Sequence, residues 1–97
     1  MPSSTWVHTS RACDLIWQIK PKTVLDIGCG FGRWGFLCRE ILDVFQGRYN
    51  REVWKTYIVG VDIYQHYFTQ AHRHIYSRLV AAEALDFLER QAEQWDL

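Results

Sequence analysis

The sequence predicts an α/β domain of three parallel strands in the order 3-2-1, with helices packed on the sheet in three layers. Three observations lead there. Short apolar runs at 23–27, 57–63 and 78–82 alternate with stretches whose apolar residues recur at helical spacing. The first two runs carry an acid at or next to their ends, Asp26 and Asp62. The first also opens into three alternating glycines, Gly28, Gly30 and Gly32, with an amphipathic run directly behind them. Alternation of this kind, closed by right-handed crossovers, builds a parallel sheet.

The whole chain sets bounds on this reading. Its 97 residues allow one small domain, 1–97. A domain that small buries only about 60–65% of its unfolded surface. With 15% aromatic residues, some apolar surface is therefore expected to need another partner. Formal net charge is zero, so no strong field points to nucleic acid or an anionic membrane. Cys13, Cys29 and Cys38 are an odd set without Cys-x-x-Cys spacing. That argues against a disulfide scaffold or structural zinc and suits a reducing compartment. No signal peptide or membrane-length apolar run is recognisable, and the expected location is cytoplasmic.

Residues 1–8 read as an entry segment. A helix is expected from Thr9 or Ser10, with Ser10 as a possible cap and Ala12, Leu15, Ile16 and Ile19 on one face. Pro21 ends it by forcing Lys20 out of helical geometry. The strand Thr23–Ile27 follows. In a parallel sheet buried on both faces, a carboxylate such as Asp26 needs a reason. One is a ligand at the carboxyl end of the sheet, where open α/β folds bind; the other is tying down loop N–H groups.

Glycines in such a loop allow positive φ and let a ligand approach the backbone, and the helix behind presents unpaired N–H groups. Cys29 lies where a thiol pKa can fall, or simply fills the loop. The helix carries Trp34, Leu37, Cys38, Ile41, Leu42 and Phe45 on its apolar side. Arg33, Arg39, Glu40 and Asp43 fall on the other side, and Gly47 is placed as the C-terminal cap. A polar connection follows, in which Arg48, Arg51 and Lys55 either steer an acidic acceptor or form a solvated loop.

Tyr57–Ile63 reads as the second strand. An acid at its end, Asp62, can accept both hydroxyls of a ribose, because a carboxylate offers two oxygens; alternatively it caps a helix. A second helix is expected from Gln65 to Tyr76, with Tyr64, Tyr67, Phe68, Ala71 and Ile75 as an aromatic and apolar stripe. His66, His72 and His74 lack the spacing of a helical ligand pair, so no metal site is expected. Arg78–Ala82 is the third strand, and Leu85, Leu88 and Ala92 mark a third helix.

The run Val24-Leu25-Asp26-Ile27-Gly28-Cys29-Gly30-Phe31-Gly32 resembles the first motif of class I S-adenosylmethionine-dependent methyltransferases, at every position. Gly60-Val61-Asp62-Ile63 is similar to that family's second motif. Ala82-Glu83-Ala84 stands where the family commonly has Gly-Asp-Ala, a departure. The resemblance implies a Rossmann-like fold, of which this chain covers about the first half of a seven-stranded sheet, and S-adenosyl-L-methionine as cofactor. It implies that Asp26 lies near the methionine ammonium group and that Gly28, Cys29, Gly30 and Gly32 run along the methionine and ribose. Asp62 is then on the ribose, Ile63 against the adenine, and Glu83 and Ala84 near the adenine amino group. Trp6 and His8 are candidates for touching the ligand.

The implied activity is methyl transfer to an acceptor of unidentified class, with no residue assigned as general base. Two alternatives stand beside it. Gly30-x-Gly32-x-x-Gly35 is a literal dinucleotide fingerprint, though its first glycine comes two residues late and the preceding acid suits a cation better than a pyrophosphate. The third reading is a non-catalytic fragment whose open sheet edge is covered by a second copy or a partner chain.

Overall fold

The computed structural model describes residues 8–90, an α/β unit with one three-stranded parallel sheet. The elements run α1 (Thr9–Ile19), β1 (Thr23–Ile27), α2 (Arg33–Leu42), β2 (Tyr57–Asp62), α3 (Gln70–Ile75), β3 (Arg78–Ala81) and α4 (Ala84–Arg90). Single 3-10 turns at Val44–Gln46, Arg51–Val53 and Gln65–Tyr67 punctuate the connections. The strands lie in the order β1-β2-β3, so β2 is central. Pairing registers Thr23 with Tyr57 and Asp26 with Gly60 on one side, and Asp62 with Ala81 on the other.

Strand alternation sorts the core into two faces. Ile58 and Val24 face α1, α2 and α3, packing with Ile16, Cys38, Leu42 and Tyr76. Val59 and Val61 face the opposite way, against Phe87 of α4. Ile58, Val59 and Val61 are wholly buried, as the continuous apolar reading of a central strand requires. No helix among the described residues is long and apolar enough to cross a membrane.

Several local expectations are corrected. The start of α1 is capped by His8 without a side-chain bond, not by Ser10. Lys20 does leave the helix, in the left-handed region at φ 48°, with its N–H donating to the Ile16 carbonyl at 2.8 Å. Of the expected α1 face only Ile16 is buried; Leu15 and Ile19 are about half exposed, because no strand among the described residues lies beyond β1. Together with Val24, Leu25 and Trp34 they line a groove of about 280 Å3.

The expected helix 65–76 is split. Thr69 takes an extended conformation and caps a shorter α3, its hydroxyl accepting from the His72 N–H at 3.4 Å. The buried stripe of α2 is Gly35, Cys38, Arg39 and Leu42, rotated from the expected one, and Phe45 is 74% exposed against the edge of Trp17. Gly47 terminates the 3-10 turn rather than α2. Leu88 is half exposed, and Ala92 lies outside the described residues.

The largest correction concerns Arg39 and Asp43, expected on the solvated side of α2. Both are buried and paired, Nη1 to Oδ2, at 2.6 Å. Arg39 also donates to the carbonyls of Ile75 and Thr56 and to Ser77 Oγ. Its guanidinium lies 4.4 Å from the centre of the Trp54 ring. Asp43 accepts from Arg48 Nε and from the N–H groups of Lys55 and Thr56. Arg48 is thus a structural clamp, its Nη2 also reaching the Leu42 carbonyl. Arg51 Nε donates to the His74 carbonyl.

Candidate functional site

The site is built where β1 hands over to α2. Gly28 and Cys29 both donate their N–H to the Val61 carbonyl, at 2.7 and 3.1 Å, so the loop leaves β1 still hydrogen-bonded to β2. Gly28, Gly30 and Gly32 have φ of 68°, 52° and 94°, the left-handed region open to glycine. Nothing lies within 4 Å of where a Cβ on Gly28 would stand, so that stretch of loop borders open space.

Asp62, at the end of β2, reaches across to the loop. Its Oδ2 accepts from the Gly30 N–H at 3.0 Å, and its Oδ1 from the Tyr64 N–H at 2.9 Å. The glycine loop and the second-strand acid, 32 residues apart, therefore meet at the carboxyl end of the sheet. Each oxygen keeps a second lone pair, although Asp62 is only 8% exposed. Ile63 beside it is 60% exposed and offers an apolar surface at the same end.

Asp26 is as deeply set as Asp62. It is 9% exposed, and its Oδ2 accepts from the Tyr76 hydroxyl at 2.6 Å. Burial raises its pKa above the ordinary aspartate value, against the lowering effect of the Tyr76 hydroxyl and the Gly35 N–H; the Asp62 charge raises it further. The Tyr76 phenol is in turn pushed up, first by burial and then by Asp26.

A carboxyl whose folded pKa is raised contributes stability below its unfolded pKa and loses it as pH rises through the folded value. Asp26→Asn should therefore gain on wild type in urea midpoint between about pH 4 and about pH 7. A constant difference across that range would contradict the assignment.

Cys29 is buried in the loop, and its thiol is pushed up to about 12, chiefly by burial and then by the charges of Asp26 and Asp62. The activated-thiol alternative is corrected by that environment: a helix N-terminus cannot offset burial between two acids. Glu83 is exposed, and its Oε2 accepts from the Asp86 N–H at 3.1 Å, which caps α4; Ala84 begins that helix. His8 is exposed at the start of α1, while Trp6 lies outside the described residues.

Two contributors went unrecognised in the sequence, His72 in the first turn of α3 and Tyr76 one turn on, at its C-terminal cap. Their rings stack at 5.9 Å with 13° between planes. Tyr76 fills the gap between Gly35 of α2 and Gly60 of β2: a Cβ on Gly60 would come within 2.7 Å of the ring, and one on Gly35 would overlap it. His72 touches Gly30. The helical i, i+4 spacing was the available signal, but nothing in it says what the pair meets. Next to the loop, Phe31, Gly32 and Phe36 border a mostly apolar cleft of about 480 Å3 that reaches Ala71 and Ile75 of α3. Among the described residues no group of three or more His, Cys, Asp or Glu is placed to hold a metal ion.

No family model, curated protein or solved structure matches this chain.

Proposed function

We propose that this chain is the cofactor-binding portion of an S-adenosylmethionine-dependent methyltransferase, transferring a methyl group to an acceptor of unidentified class. The observation that carries the reading is the Gly30 N–H bond to Asp62. It joins a left-handed glycine loop to an acid on the neighbouring strand, at the end of a parallel sheet where ligands bind. The residues fit the group: Gly28 borders open space, Asp62 retains lone pairs for ribose hydroxyls, and Ile63 exposes an apolar side to a purine. The β1-β2-β3 order, with β2 between its neighbours, suits the first half of such a sheet.

When bound, the cofactor supplies an electrophilic methyl on a sulfonium, and the chemistry is displacement at carbon. The contribution of this chain is to bind and orient: the loop backbone fixes one side of the ligand, and Asp62 fixes the ribose. Asp26 accepts from the Tyr76 hydroxyl on one oxygen, and its carboxylate is the group for the methionine ammonium.

One observation favours the dinucleotide reading. Gly35, third in Gly30-x-Gly32-x-x-Gly35, allows a close approach at the helix, where Tyr76 lies against it.

Calorimetric titration with S-adenosylhomocysteine, and with NAD in parallel, separates the two. Saturable binding of the former is expected, lost in Asp62→Ala. Binding of NAD alone overturns the proposal, and folded protein that binds neither favours a chain that works only with a partner.

A further inference from the structure

His72 lies 42 residues from the glycine loop in sequence, yet its Nε2 is 2.8 Å from the Gly30 carbonyl oxygen. The ring is 4% exposed and pinned from all sides: Phe68 on one flank, Tyr76 stacked on another, and Thr69 at the far nitrogen. The hydrogen bonds fix its tautomer. The Thr69 N–H donates to Nδ1 at 3.1 Å, and a backbone N–H can only donate, so Nδ1 carries a lone pair. The ring proton is then on Nε2, and it is donated to Gly30. The Thr69 hydroxyl lies 2.9 Å from the same Nδ1 and holds the ring at that end.

Gly30 is therefore gripped at both of its backbone polar groups. Its N–H goes to Asp62 and its carbonyl to His72. At φ 52° the residue lies in the left-handed region that glycine enters without steric cost. A Cβ on Gly32 would come within 3.2 Å of Nε2, so the ring sits directly under the loop.

We propose that His72 is a positioning residue of the ligand loop. It holds the peptide plane that follows Gly30 while Asp62 holds the plane before it, so the two bonds together fix the Gly30 dihedrals and, with them, where the Gly30 N–H meets the Asp62 carboxylate. A side chain of α3 thus tunes an acid on β2 without touching the ligand. The inference rests on the loop being the cofactor site.

Two amide variants separate the two ends of the ring. In His72→Asn the side-chain oxygen can take the place of Nδ1 against Thr69, but nothing reaches Gly30. In His72→Gln the side-chain N–H group takes the place of Nε2, and the bond to Thr69 is lost. The readouts are the S-adenosylhomocysteine dissociation constant, the melting midpoint and the Gly30 amide resonance.

His72→Asn should melt several degrees below wild type, as the loss of one bond to a buried carbonyl costs a small domain, weaken binding about tenfold, and shift the Gly30 resonance. His72→Gln should also melt below wild type, yet keep the wild-type Gly30 resonance and bind within about threefold of wild type. A His72→Asn protein with wild-type affinity and an unmoved Gly30 resonance overturns the inference. So does equal loss in both variants. If wild type itself fails to bind, the chain does not hold the cofactor alone, and the Gly30 resonance in the two variants still decides whether His72 positions the loop.

Discussion

Gly35→Ala should destabilise the domain by about 3 kcal/mol, the upper end of what overpacking costs. The sign is the informative part. In a helix interior this substitution ordinarily stabilises by about 0.5–1 kcal/mol, because alanine loses less backbone entropy. Here the new methyl would overlap the Cζ and hydroxyl of Tyr76, a ring that is 2% exposed. Tyr76 cannot swing aside, since Gly60 of β2 lies against its other edge and Asp26 holds its hydroxyl. The check is a double-mutant cycle by urea unfolding. Combined with Tyr76→Leu, the Gly35→Ala penalty should largely disappear. An additive pair, or a stabilised single variant, would mean that Tyr76 does not occupy that gap.

Asp43→Asn should cost about 3–5 kcal/mol at neutral pH, the penalty for leaving a buried cation unpaired. Arg39 is 2% exposed and Asp43 wholly buried, and the amide puts N–H donors where a carboxylate accepted from Arg39, Arg48, Lys55 and Thr56. Small domains have about 5 kcal/mol of net stability, so the variant should be largely unfolded by mild urea.

The pH dependence supplies a second check. Burial alone would raise the Asp43 pKa, but the hydrogen bonds from Arg48, Lys55, Arg39 and Thr56 outweigh it and hold it below the ordinary value. A lowered carboxylate contributes stability above its unfolded pKa and loses it as pH falls through the folded value. The gap between wild type and Asp43→Asn should therefore close below about pH 4. A gap that is the same at both pH values would sink the assignment.

The strands and the glycine loop were legible because their signals are local. Thr23–Ile27 falls where its apolar run begins and ends, and Asp62 stands at the end of β2 as its position suggested. What was illegible depends on partners distant in the chain. A charge at helical spacing reads as solvated, and Arg39 is inside only because the carbonyls of Thr56 and Ile75 and the hydroxyl of Ser77 converge on it. That Asp26 accepts from the Tyr76 hydroxyl was equally hidden, since the two lie 50 positions apart. The helix expected over 65–76 broke at Thr69, whose hydroxyl bonds the following backbone, a competition that periodicity does not register.

The Arg39 cluster grades the rigidity of the domain along its strand axis. Its acceptors lie 4, 17, 36 and 38 residues away, on three separate stretches of chain, and all at the end of the sheet where the strands begin. None of those stretches can detach alone without stranding a cation in apolar surroundings. Opening at that end has to part several of these bonds together, so amide exchange there is expected to be among the slowest in the domain. At the opposite rim the loop is tied to β2 through Gly28 and Cys29, and Gly30 beyond them is held by one bond each to Asp62 and His72, worth about 1 kcal/mol apiece. The domain thus has a floor whose bonds part together, and a rim that can adjust to what it holds.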